Sequence, residues 1–273
     1  MTLRPILGSR RFLAGSSLLL ATALAALAGV TLGGDPFLPS EAVLGEPSAP
    51  HPLGTDELGR DILTRILHGA LTALLIAGPP ALVAALVGVA VGLVAGFHGG
   101  LVDEALLKLI ELVLVVPRFL LALVVVALFG SELWLVGAVL AVTFWPHTAR
   151  IVRGEVISLR ERAFVEAATA VGGSTGWIMT RHLVPLLLPV VAVVTSFQAS
   201  QAVLIESGLA FLGLGDRDVV SWGAMLADAQ SYLGTAWWTS VFPGVALAVT
   251  IIGLNLLGDG LADAWSVEGS ARA

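Results

Sequence analysis

ALTALLIAGPPALVAALVGVAVGLVAGF, residues 70–97, runs for 28 residues without a charged side chain. A helix needs about 20 mostly apolar residues to cross the hydrocarbon core of a bilayer, so this stretch alone places the chain in a membrane. The composition agrees. Of 273 residues, 57% are hydrophobic and 12% charged, with mean hydropathy +0.94, against roughly 45–50% apolar residues in a soluble domain. The formal charge of −6 comes from acids scattered through loops, and no basic stripe is present to bind nucleic acid. Without cysteine, the chain has no disulfide, thiolate nucleophile or cysteine metal site.

Outward from 70–97, five more stretches meet or approach spanning length: Phe12 to Leu32, Ala105 to Phe129, Glu132 to Trp145, Pro185 to Ile205 and Trp237 to Leu257. The expectation is an all-α polytopic membrane protein, one domain over residues 1–273 with six transmembrane helices. Its tails are 1–11 and 258–273, its outer loops 33–69 and 206–236, with helices two to six in 70–257 and a cytoplasmic loop at 151–184. The fourth span is the weakest, because Pro146 and Arg150 follow it closely. Pro79-Pro80 predicts a break in the second. Behind Arg4, Arg10 and Arg11, the first span reads as an uncleaved anchor or as a signal peptide cleaved near Ala26-Leu27-Ala28; its long apolar run favours the anchor.

Orientation follows from Lys and Arg placement. With the N-terminus in the cytoplasm, the inner segments hold Arg4, Arg10, Arg11, Lys108, Arg150, Arg153, Arg160, Arg162, Arg181 and Arg272, and the outer ones Arg60, Arg65 and Arg217. Arg118 is left inside the third span. The polar stretch FVEAATAVGGSTGWIMTRHLVPLLLP, residues 164–189, is then cytoplasmic. Ser158 to Glu161 reads as a capping box and Gly172-Gly173 as a left-handed stop, predicting a helix over about 159–171. Ala163, Ala167, Ala170 and Val171, with Phe164, put small and apolar groups along one side. Ser174 can cap a second short helix before Pro185. Such a helix either rests on lipid headgroups or its own bundle, or is presented to a soluble partner.

Glu166-Ala167-Ala168, then Gly172, then His182-Leu183-Val184-Pro185, resembles the EAA loop of ABC importer membrane subunits. HPLGTDELGRDILTRILHGA before the second span, ESGLAFLGLG and SWGAMLADAQSYL after the fifth, and FPGVALAVTIIGLNLLGDGLADA at the end are similar to the oligopeptide, dipeptide and nickel permease group, specifically the C-type partner of a heterodimeric permease. The resemblance implies that Phe164, Glu166, Ala167, Ala168 and Gly172 form a coupling helix docked on an ATPase. It also implies a second related permease subunit, two ATPase subunits and an extracytoplasmic substrate-binding protein. ATP and Mg would bind the ATPases, and this chain would bind no cofactor. Dipeptides, oligopeptides, glutathione and nickel chelates all remain open as substrates.

The residues test that division of labour independently. A P-loop needs a lysine in G-x-x-x-x-G-K-[ST], and the only lysine, Lys108, follows Leu107. This chain is a transport subunit and not an enzyme by that route. The five histidines, His51, His68, His98, His147 and His182, never fall at metal-ligand spacing, so no metal site is expected. Gly213-Leu214-Gly215-Asp216 matches the G-x-G-D of intramembrane aspartyl proteases, but the only tyrosine, Tyr232, precedes Leu233 instead of the second aspartate.

Within the bilayer, Gly88, Gly92 and Gly96 recur every fourth residue and permit close helix packing. Arg118 lies in the middle of the third predicted span, with Glu111 on the same face; it forms an ion pair or lines a path. Ser196, Gln198, Ser200 and Gln201, beside Thr195, form a polar patch on the fifth, read as path-lining or as a subunit interface. Phe211, Trp222 and Tyr232 suit a partly folded outer flap. An ion-gradient-driven transporter or channel is the alternative function, but such proteins bury carboxylates or histidines near the midplane, and these span interiors hold almost none.

Overall fold

The structure, a computed structural model, describes residues 9–270; Arg4 and Arg272, used in the charge balance, lie outside them. The described residues form ten α-helices: α1 (Arg10–Leu32), α2 (Ile62–His98), α3 (Gly100–Leu114), α4 (Arg118–Phe129), α5 (Leu133–Arg160), α6 (Ala163–Ala170), α7 (Thr175–Ile178), α8 (Val184–Leu209), α9 (Trp222–Ala229) and α10 (Trp238–Ser270). Five stretches are long and apolar enough to cross a membrane. A sixth span arises if α3 and α4, bent by 67° at their junction, count as one. The expected all-α polytopic fold is therefore what the chain adopts.

α2 and α5 form the spine of the bundle. A Cβ added to Gly88 would lie 2.5 Å from the Thr148 Cβ, one on Gly92 2.5 Å from the Ala149 carbonyl oxygen, and one on Gly96 2.8 Å from the Arg153 carbonyl oxygen. The four-residue glycine repeat thus brings two backbones together, as small residues do where lipid supplies no hydrophobic drive. α1 packs against α10 by the same device: Gly15 faces Leu257, Gly260 faces Phe12, and the Thr22 and Thr250 hydroxyls meet at 3.2 Å.

The prolines of these spans behave differently, and packing explains why. α2 runs unbroken through Pro79-Pro80 and begins at Ile62 instead of Ala70, with the Asp61 carboxylate accepting the Thr64 N–H at 2.8 Å. α5 likewise passes through Pro146 to Arg160, well beyond the predicted end at Trp145. Pro80 rests on Gly137 and Pro146 is buried within α5, so packing against neighbouring helices keeps the helix continuous across the lost N–H. Val115, Val116 and Pro117 are exposed. No packed neighbour resists the break there, and the predicted span 105–129 divides into α3 and α4.

Beyond α5 the predicted capping box does not form. Ser158 sits inside α5 because Val156 and Leu159 are buried in a second core with Leu93, Val165, Ile178 and Leu183, and that burial favours continuing the helix. The break falls at Glu161-Arg162, and Arg162, extended at φ −83° and ψ 145°, starts the shorter α6. The predicted stop is present, with Gly172 at φ +84°. Ser174 also caps α7 as expected, accepting the Trp177 N–H at 3.4 Å. α7 then runs through a π-turn, Met179–Leu183, straight into α8, so Pro185 does not separate two elements.

Candidate functional site

Three regions collect the functional candidates. The first is the α6–α7 end of the bundle. Phe164, Glu166, Ala167 and Gly172 are exposed, whereas Ala168 is buried with Val165 against the second core. Ala168 therefore anchors the helix, and the surface that a partner could touch consists of Phe164, Glu166, Ala167, Ala170 and Val171. His182 stacks edge-on to Trp177 with ring centroids 4.6 Å apart and lies 6.4 Å from Phe164, tying α6 to the root of α8. Beside this helix a shallow pocket of about 470 Å³ is lined by Phe97, Arg160, Glu166 and Thr169. Arg160 donates to the Phe97 carbonyl at 2.9 Å. Arg153 forms a two-pronged bond to Asp103, with Nη2 to Oδ2 at 2.6 Å, which fastens α3 to α5.

The second region is the middle of the bundle. Arg118 is the first residue of α4 and not mid-helix, because the chain breaks at Pro117. It is half-buried, and its guanidinium carbon lies 5.3 Å from the centre of the Phe144 ring, a cation–π contact. The bend separates it from Glu111, and no ion pair joins the two. On α8, Ser196, Gln198 and Ser200 are buried while Gln201 is exposed. Gln198 Nε2 donates to the Phe144 carbonyl and to Thr148 Oγ1, both at 3.0 Å. Ser200 Oγ donates to Asn255 Oδ1 at 2.8 Å, and Ser196 packs on Gly258. These three bind α8 to α5 and α10 within the subunit. A helix pattern marks them as polar without revealing which neighbour will supply partners, and Thr148 and Asn255 went unread for that reason.

The third region is the opposite end. There the predicted flap is a folded cap. Trp222 opens α9, is 3% exposed, and donates its indole N–H to the Ile66 carbonyl at 3.1 Å over Gly69. Tyr232 is half-buried and Phe211 exposed. Beneath the cap lies an ionic cluster that sequence reading missed. Arg60 Nε donates to Asp56 Oδ2 at 2.7 Å and its Nη2 to Glu57 Oε1 at 2.8 Å. Arg65 Nη1 pairs with the same Asp56 oxygen, and Asp228 of α9 approaches Arg60 at 3.5 Å and Arg65 at 4.0 Å. Five charges within 56–65, with Asp228 as a sixth, in so apolar a chain, were the available signal. Burial pushes the Glu57 carboxyl above the usual range, and the neighbouring Asp56 and Asp228 add to this. Glu206, 6% exposed in α8, accepts the Ser207 hydroxyl at 3.3 Å.

Residues 88–266 match the family model of the binding-protein-dependent transport system inner membrane component. The chain belongs to this family. The match begins in the glycine repeat of α2 and takes in both α6 and the cap. Among its relatives, the dipeptide transport system permease protein DppC of Alkalihalophilus pseudofirmus is 38% identical over 83% of this chain and 74% of its own. The Bacillus subtilis protein of the same name is 36% identical over 84% and 75%. As a binding-protein-dependent inner membrane component, the chain is a multi-pass permease subunit of an ABC importer and not itself an enzyme. That assignment replaces the gradient-driven alternative.

Proposed function

We propose that this permease subunit moves short peptides across the membrane, that the α6–α7 end lies in the cytoplasm on an ATPase subunit, and that the cap faces the side from which a substrate-binding protein delivers its cargo. The single observation that carries the reading is α6: a short helix seated by Val165 and Ala168 that leaves Phe164, Glu166, Ala167 and Val171 in the open. A helix fastened on one face and bare on the other suits docking into a groove. The printed names of the two DppC relatives, each covering over four-fifths of this chain, support the peptide substrate. The excess of Lys and Arg on the α6 side supports the orientation. A second, related permease subunit completes the path, two ATPases bind ATP and Mg, and lipid covers exposed apolar side chains such as Leu20, Leu86 and Leu128. For Arg118 and Gln201 the proposal keeps a place along that path.

Proteoliposomes holding this subunit with its partner permease, ATPases and binding protein test the reading. ATP-dependent accumulation of a dipeptide is expected, and a cysteine at Ala167 should cross-link to the ATPase. Uptake without ATP, or cross-linking to lipid alone, overturns it. For orientation, a cysteine at exposed Asp218 should react with an impermeant maleimide added from outside. Ser221, at 2% exposed, should stay silent.

A further inference from the structure

At the cap end, Phe37, Arg60, Arg65, Asp216, Arg217 and Asp228 line a pocket of about 380 Å³. We infer that this pocket is a binding subsite for a small zwitterion, whose carboxylate meets Arg217 and whose ammonium meets Asp228.

The lining charges are unequally occupied. Arg60 is held by Asp56 and Glu57 at 2.7 and 2.8 Å, so its role is structural. Arg65 is only 4% exposed and its guanidinium is held by Asp56 through Nη1, so it forms part of the pocket wall. Arg217 is exposed on the rim and makes no hydrogen bond or ion pair with the described residues. Asp228 is 43% exposed on its side chain and meets its arginines only at 3.5 and 4.0 Å, at or beyond the limit of a hydrogen bond. Asp216 is committed to the Leu133 and Asp218 amides at 2.9 and 3.0 Å.

One uncommitted arginine, Arg217, and one loosely held carboxylate, Asp228, therefore line a single cavity. A simple anion would gain nothing from the loosely held Asp228, and a simple cation would leave Arg217 without a partner; a solute bearing both charges answers both. The volume falls at the lower end of small-ligand sites, roughly 300–1,000 Å³, which suits a solute of dipeptide size better than an inserted protein loop. The choice of a free-ended peptide rests on the proposed transport function.

The experiment uses the assembled permease–ATPase complex in nanodiscs, with the binding protein omitted so that its own site contributes nothing. Binding of Ala-Ala is read by saturation-transfer NMR, with N-acetyl-Ala-Ala-amide as competitor. Arg217→Met and Asp228→Asn should each weaken Ala-Ala binding about tenfold or more, and the blocked peptide should not compete. A thermal midpoint measured on each variant confirms that the fold is intact. Equal binding by wild type and both variants, effective competition by the blocked peptide, or no binding by wild type overturns the inference. Dipeptide uptake by the full system, measured in parallel, separates the two readings: uptake without pocket binding leaves the transport function standing, whereas absent uptake with variant-sensitive binding removes the transport function and keeps the pocket.

Discussion

Gly92 of α2 sits against α5 so closely that a Cβ would lie 2.5 Å from the carbonyl oxygen of Ala149. Both partners at that contact are backbone, so neither can swing aside. Gly92→Leu should separate the two spine helices and cost about 1–3 kcal/mol or more, as overpacking does. Thermal unfolding in detergent should show a lowered midpoint. Gly78→Leu, on the same helix with open space at its Cα, should leave the midpoint nearly unchanged.

Gln198 bridges α8 to α5 through two bonds from one amide nitrogen. Gln198→Leu leaves the buried Thr148 hydroxyl without this partner and removes the second bond to the Phe144 carbonyl, at a cost of about 1–3 kcal/mol. With Thr148→Val added, the combined loss should be smaller than the sum, because the two residues share one interaction. A double-mutant cycle on detergent-solubilised protein checks this.

Along α6, adjacent alanines should behave oppositely. Ala167→Arg changes an exposed position and should leave stability within about 0.5 kcal/mol while reducing ATP-driven uptake in proteoliposomes. Ala168→Arg buries a charge among Val165, Ile178 and Met179 and should reduce the amount of folded subunit. Equal folding by the two variants would contradict the seating of the helix. Glu166→Lys should follow Ala167→Arg.

Arg118 contacts Phe144 through its charge. A partly exposed cation–π contact contributes about 0.5–2 kcal/mol, so Arg118→Met should lower the thermal midpoint only modestly. If the guanidinium lies on the path, as proposed, the assembled complex keeps its ATPase activity and loses flux, most for carboxylate-bearing substrates. Unchanged flux in a fully assembled complex would remove it from the path.

Glu57 supplies a pH dependence. Its folded pKa is raised, chiefly by burial, so the fold favours the protonated form. Its contribution to stability is present below the unfolded value, about 4.3, and is lost as pH rises through the higher folded value. Glu57→Gln should therefore flatten the fall in thermal midpoint between pH 4 and neutrality. An unchanged slope would show that another group carries it.

Some of this was legible along the chain. The apolar runs located the spans, because one helix in lipid needs about 20 such residues whatever surrounds it. The glycine repeat announced close packing, and Gly172 announced the end of α6, since a left-handed residue favours glycine locally. Only the tertiary structure decided which prolines bend the backbone: Pro80 and Pro146 are clamped by neighbouring helices, and Pro117 is not. It also decided that Ser196, Gln198 and Ser200 turn inward, and that Asp228 reaches Arg60 and Arg65 across more than 160 residues of chain. Residue type and spacing determine what a segment can do by itself. Which face is buried, and which charges meet, depends on contacts between segments far apart in the chain, and those exist only once the helices have packed.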